Sequence, residues 1–253
     1  MKHDLEFEVY VNDVEKPFSG WDFSYITDSG RMASGMLSWS YGSLVIPLIG
    51  KVSSMLDMGT GGGELLSKLQ PFPARVCATE GYLPNVPIAR ERLEPLGVKV
   101  YQIGEDDLLP FEDDTFDLII NKHESYSPVE VNRVLTRDGL FVTQQVGGSD
   151  CTDINEALGA PINGEFSHWS LAFAEKELCE NGFEVLEAKE EYPVQRFYDI
   201  GALLYYLKAI PWQVSDFKSD DYLDELYAIH KMIQDKGFFE VKQHRFLLKA
   251  RIK

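Results

Sequence analysis

The stretch from Val52 to Leu69 constrains this chain more than any other. A largely apolar run, Val52 to Met58, reads as a buried strand. It breaks into Gly59-Thr60-Gly61-Gly62-Gly63 and then into the helical pattern Glu64-Leu65-Leu66-Ser67-Lys68-Leu69. Strand, glycine turn and helix open a nucleotide-binding α/β unit. Glycine permits φ > 0 and lets a ligand lie directly on the backbone. The dinucleotide pattern G-x-G-x-x-G needs glycine at 64, where this chain has Glu64. A carboxylate in the first helical turn suits the helix dipole but repels a pyrophosphate. The spacing Gly59, Gly61, Gly63 behind Asp57 is instead G-x-G-x-G.

Around this turn, strand and helix patterns alternate. Ser38 to Gly50 predicts a Ser-capped helix, Val76 to Thr79 a strand, and Pro84 to Leu96 a helix. Val98 to Ile103 and Phe116 to Asn121 follow as strands, Val129 to Leu135 as a helix, and Leu140 to Val146 as a strand after the turn Arg137-Asp138-Gly139. This alternation predicts a parallel sheet with helices on both faces. Past residue 150 the rhythm changes. Ser170 to Asn181 reads as a helix stopped by Gly182, and Phe183 to Tyr192 as a strand. Tyr222 to Asp235 is a second helix, and His244 to Ile252 a final strand. Residues 1–37 read as an N-terminal cover and 38–253 as one domain. The segment at about 195–238 is a helical insert, serving either as lid and substrate wall or as packing.

At 253 residues, the chain can hold one large α/β domain, or one domain with a small appendage. A formal charge of −17 repels phosphate backbones, so nucleic acid is disfavoured as a partner. The three cysteines, Cys77, Cys151 and Cys179, are scattered and offer neither a disulfide framework nor metal-ligand spacing. No metal is expected. No apolar run is long enough to span a bilayer, and the N-terminus lacks a secretory pattern, so a cytoplasmic location is expected.

The glycine pattern behind Asp57 resembles the first motif of class I S-adenosylmethionine-dependent methyltransferases. Gly104-Glu105-Asp106-Asp107-Leu108-Leu109-Pro110-Phe111 is similar to that family's G-D-A-x-x-L-P-F segment. Phe111 to Ile119 and Arg133 to Gly139 continue the likeness in order and spacing. It spans about 36–147 and is nearest to the small-molecule type that includes quinone-biosynthesis enzymes. The resemblance implies a Rossmann-like α/β fold: a mostly parallel seven-stranded sheet with an antiparallel last strand and helices on both faces.

It also implies a site for S-adenosyl-L-methionine. Gly59, Thr60, Gly61 and Gly63 would pass beneath the methionine moiety, with Asp57 orienting the loop or meeting the amino group. Glu80, about twenty residues beyond Gly59, can accept two hydrogen bonds from a ribose diol, with Gly81 beside it. Glu105 or Asp106 would receive the adenine amino group, and Asn121 lies at the end of a later strand near the cofactor.

Methyl transfer from a sulfonium needs a base only if the acceptor arrives protonated. His123 is the natural base by its ordinary pKa, with Glu124 orienting it or acting directly. Trp21, Trp39 and Tyr41 are candidates for an aromatic wall. Gln144, Gln145, His168 and Trp169 are candidates for the acceptor pocket. The expected function is methylation of a small, uncharged or cationic acceptor. The alternatives are an RNA or protein methyltransferase, an idle S-adenosylmethionine-binding module, and an NAD-dependent oxidoreductase, which Glu64 disfavours.

Overall fold

A computed structural model describes residues 4–18, 22–104 and 108–253. Its strands are β1 (Met32–Ser34), β2 (Ser54–Met58), β3 (Arg75–Glu80), β4 (Lys99–Gln102), β5 (Phe116–Lys122), β6 (Leu135–Val146), β7 (Phe183–Glu191), β8 (Val194–Phe197), β9 (Phe239–Lys242) and β10 (Arg245–Ile252). The chain divides into two units.

The first unit comprises 37–147, 169–190 and 245–253 and holds a seven-stranded sheet in the order β4-β3-β2-β5-β6-β10-β7. The pairs β2–β3, β3–β4, β2–β5 and β5–β6 are parallel. The last strand, β10, inserts between β6 and β7 and runs antiparallel to β6. Burial on both faces explains the apolar runs: every residue of β2 is buried. Met55, Leu118, Ile120, Val142 and Leu247 pack with Tyr41, Val45 and Ile49 of helix Tyr41–Ile49, and with Ala89 and Leu93 of helix Asn85–Leu93. Leu56, Ile119, Phe141, Phe246 and Leu248 face the other way. They meet Val131 and Val134 of helix Pro128–Val134, and Ala174 and Leu178 of helix Leu171–Glu180. Ser40, Ser127 and Ser170 cap three of these helices, each accepting from a backbone N–H three residues on.

Two local expectations change. After the glycine turn there is only a 3-10 turn, Leu66–Lys68, and not a helix from Glu64. Pro71 and Pro73 follow at once, and a proline biases the residue before it away from helix. The strand expected from Leu140 starts at Leu135 and carries the Arg137-Asp138-Gly139 turn within it as a bulge. Pairing with β5 jumps from Phe116↔Leu135 to Leu118↔Leu140, and Asp138 takes φ 64°.

The second unit takes the described residues of 1–36 with 148–168 and 191–244, so the expected cover and insert fall in the same unit. Its sheet is β1-β8-β9, antiparallel throughout. Helix Ile200–Ala209 is buried at every position except Lys208 and supplies Leu203, Leu204 and Leu207 to the core. A helix that is apolar all round belongs in a core. The N-terminal helix Leu5–Val11 and helices Thr152–Leu158 and Leu223–Lys236 pack in the same unit. No described helix is long and apolar enough to cross a membrane.

Candidate active site

Parallel α/β sheets bind ligands beyond the carboxyl ends of their strands. Here the ends of β2, β3, β5 and β6 bring together most of the expected residues. Gly59, Gly61 and Gly63 take φ of 64°, 61° and 81°. A Cβ on Gly59 would collide with the Glu124 side chain, whereas one on Gly61 would meet nothing within 4 Å. The first glycine is thus required by packing as well as by φ. The second leaves open space above a bare backbone, where a ligand can lie against it. The loop is fastened to β3 by Thr60 N–H donating to Thr79 O (2.9 Å), and to helix Asn85–Leu93 by the Arg92 guanidinium, which donates to Gly62 O and pairs with Glu64.

Asp57 is buried at the end of β2. Burial is the main reason its carboxyl rises to about 7; Glu80 pushes it further up, while the Thr60 hydroxyl and Lys122 draw it down. Glu80, also buried, accepts from Tyr82 N–H at 2.7 Å, and Gly81 beside it is exposed. A buried carboxylate above an open glycine backbone suits a cationic, hydroxyl-bearing ligand. The acidic pair Glu105 and Asp106 lies outside the described residues, as does Trp21. The chain that follows the pair is anchored: Arg133 donates to Leu109 O and Phe111 O, and Glu130 accepts from Leu109 N–H.

Between β5 and β6 the buried polar side chains form a closed network. Asn121 Oδ1 accepts from Thr143 Oγ1 (2.9 Å) and Gln145 Nε2 (2.7 Å), and Asn121 O accepts from Tyr41 Oη (3.0 Å). Asn121 therefore spends its side chain holding two strand ends together. Gln145 Nε2 also donates to Glu124 O (2.9 Å), which fixes the loop after β5. Tyr41 and Trp39 are buried, Trp39 donating from Nε1 to Gln144 Oε1 at 2.9 Å.

That bond decides the state of His123. An indole N–H only donates, so the Gln144 oxygen faces Trp39 and its nitrogen faces His123 Nε2, 2.9 Å away. Nε2 accepts, and in the neutral ring Nδ1 carries the proton. Desolvation by the surrounding protein, with Arg245 and Lys122 adding to it, pushes the ring's pKa well below the ordinary range, although the residue as a whole is exposed. The base role expected for His123 does not fit this geometry: its single lone pair is already taken. His123 stands as a hydrogen-bond donor. Nor is Glu124 what orients the ring; Gln144 does so, while Glu124 Oε1 accepts from Ser125 N–H (3.2 Å) and its side chain lies against Gly59. His168 falls in the second unit, and Trp169 packs on Tyr126 and Phe246. Lys122 and Arg245 have no role in the sequence-based reading. Arg245 is far away in sequence, and only the insertion of β10 beside β6 brings it to this end of the sheet.

Residues 56–143 match a family model described as a methyltransferase domain. No curated protein matches by sequence. Among solved structures, a candidate methyltransferase from Bacillus halodurans C-125 aligns with TM-score 0.60 and 18% identity, over 84% of this chain and 99% of that one. The [4+2]-cyclase SpnF aligns with TM-score 0.54 and 16% identity, over 98% and 96%. A geranyl diphosphate methyltransferase in complex with GPP and sinefungin aligns with TM-score 0.51 and 16% identity, over 84% and 76%. At these identities the structural likeness speaks for the fold.

Proposed function

We propose that this chain is a class I S-adenosylmethionine-dependent methyltransferase that methylates a small organic acceptor, a reading that its matched domain and its fold support. The observation that carries the cofactor assignment is the pairing of Asp57 and Glu80, two buried carboxylates at adjacent strand ends, with the open backbone at Gly61. Asp57 would hold the cofactor's cationic methionine end and Glu80 its ribose hydroxyls, over Gly59, Thr60, Gly61 and Gly63. Gly81, and Glu105 or Asp106, would bound the adenine. Sinefungin, an analogue of S-adenosylmethionine, is bound in one protein of the same fold and supports this reading. Bound here, S-adenosylmethionine would supply an activated methyl group, so that positioning provides much of the acceleration.

The chain's own contribution is then orientation. The Asn121–Thr143–Gln145 network fixes the ends of β5 and β6, and the Trp39–Gln144 bond fixes His123 as a donor. The net charge of −17 favours a small acceptor over nucleic acid. A cytoplasmic location belongs to the same proposal, with Cys77, Cys151 and Cys179 all free thiols. Acceptor-dependent formation of S-adenosylhomocysteine tests the function. Cofactor binding without any turnover across a broad acceptor screen would favour an idle binding module.

A further inference from the structure

Lys122 ends β5, and Cα pairing sets it beside Gln144 on β6; Leu247, on the far side of Gln144, places Arg245 two residues further along β10. Paired residues, and residues two apart on one strand, share a face of the sheet. Lys122, Gln144 and Arg245 therefore share one face, with His123 turned toward Gln144. Lys122 is half-buried, and its side chain makes no hydrogen bond or ion pair with a described residue. Arg245 has partners of its own. His123 sits at φ 62°, a costly conformation for a non-glycine residue, and presents a proton on Nδ1 because Gln144 occupies Nε2. Two cationic side chains and a fixed donor thus gather at one strand end of a chain with net charge −17.

Resting on the methyltransferase reading, we infer that the Lys122–His123 corner binds a carboxylate, and that the acceptor is an organic acid rather than a neutral or cationic molecule. Lys122 supplies the charge, and His123 Nδ1–H supplies a directed hydrogen bond. The electrostatics agree: desolvation and Arg245 hold the Lys122 pKa down, with Asp57 only partly offsetting them. A carboxylate placed here would relieve that strain. A carboxylate that is itself methylated is already deprotonated and needs no base, which accords with His123 being a donor. A carboxylate could come from the acceptor or from the methionine end of the cofactor, and the test separates these sources.

The test is an NMR titration of isotope-labelled protein, following the His123 ring and the Lys122 side chain. Benzoate and benzamide, equal in shape and different in charge, are the probes, with and without S-adenosylhomocysteine. Benzoate is expected to shift both residues saturably at millimolar concentration and benzamide to leave them unmoved. Lys122→Met should weaken benzoate binding about tenfold or more while S-adenosylhomocysteine affinity stays within about twofold, and Lys122→Arg should restore benzoate binding. Equal responses to both probes, or none to benzoate, would overturn the inference. So would a tenfold loss of S-adenosylhomocysteine affinity in Lys122→Met that is absent for its decarboxylated analogue, since the carboxylate would then be the cofactor's. Wild-type protein that binds no S-adenosylhomocysteine would sink the cofactor reading instead, while the benzoate arm still judges the anion site.

Discussion

The Gln144 amide nitrogen lies 2.9 Å from His123 Nε2, and Trp39 on the other side of the amide fixes which way round it sits. Replacing this donor by a carboxylate reverses the demand on the ring. Gln144→Glu should favour the imidazolium and raise the His123 pKa. In the wild type the ring should titrate well below the ordinary range of an imidazole. Ring resonances followed by NMR against pH check both statements. A variant whose His123 titrates like the wild type would show that Gln144 does not control the ring.

Asp57 gives the site a pH dependence. Its folded pKa of about 7 lies above the roughly 3.9 of an unfolded Asp. Between these values the folded state holds the proton more tightly, so this group's contribution to stability falls as pH rises from about 4 to 7. Asp57→Asn should therefore raise Tm more at pH 8 than at pH 5. Binding of a cationic ligand asks for the ionised carboxylate, so cofactor affinity should rise with pH and level off above about 7. Tm that responds equally at both pH values would refute the buried-carboxylate account.

Glu80 is assigned to the ribose. Glu80→Ala should weaken S-adenosylhomocysteine binding by about 1–3 kcal/mol, as expected for lost charge-assisted hydrogen bonds. Calorimetry on protein with native circular dichroism reads the loss. Unchanged affinity would remove Glu80 from the site.

Gly59 meets two constraints, a φ of 64° and the Glu124 side chain. Gly59→Ala should destabilise the fold by more than about 1 kcal/mol. Adding Glu124→Ala should return part of that loss, since one of the two constraints is then gone. Denaturant unfolding of the four proteins in the cycle measures the coupling, and strict additivity would rule out the contact.

How far the sequence speaks for itself differs along the chain. The β2 strand, the glycine turn and the regular strand–helix alternation are legible because they rest on local pattern: periodicity, capping serines and positive-φ glycines. The Leu66–Lys68 turn is less so, because two prolines beyond it override an apparently helical run. The sheet β1-β8-β9 draws its strands from three distant segments of three or four residues each, too short to carry a readable alternation. In the site, Asp57, Glu80 and the glycines stand out by position. The tautomer of His123 does not, because it depends on a Trp39–Gln144 bond spanning 105 residues. Lys122 and Arg245 likewise become a pair only through the order of the strands.

The most direct measurement for the whole account is parallel calorimetric titration with S-adenosylmethionine, S-adenosylhomocysteine and NAD. Saturable binding of the two sulfur nucleosides, stronger at pH 8 than at pH 6, with no response to NAD, is the predicted result. Binding of NAD alone, or of none of the three to folded protein, would contradict it.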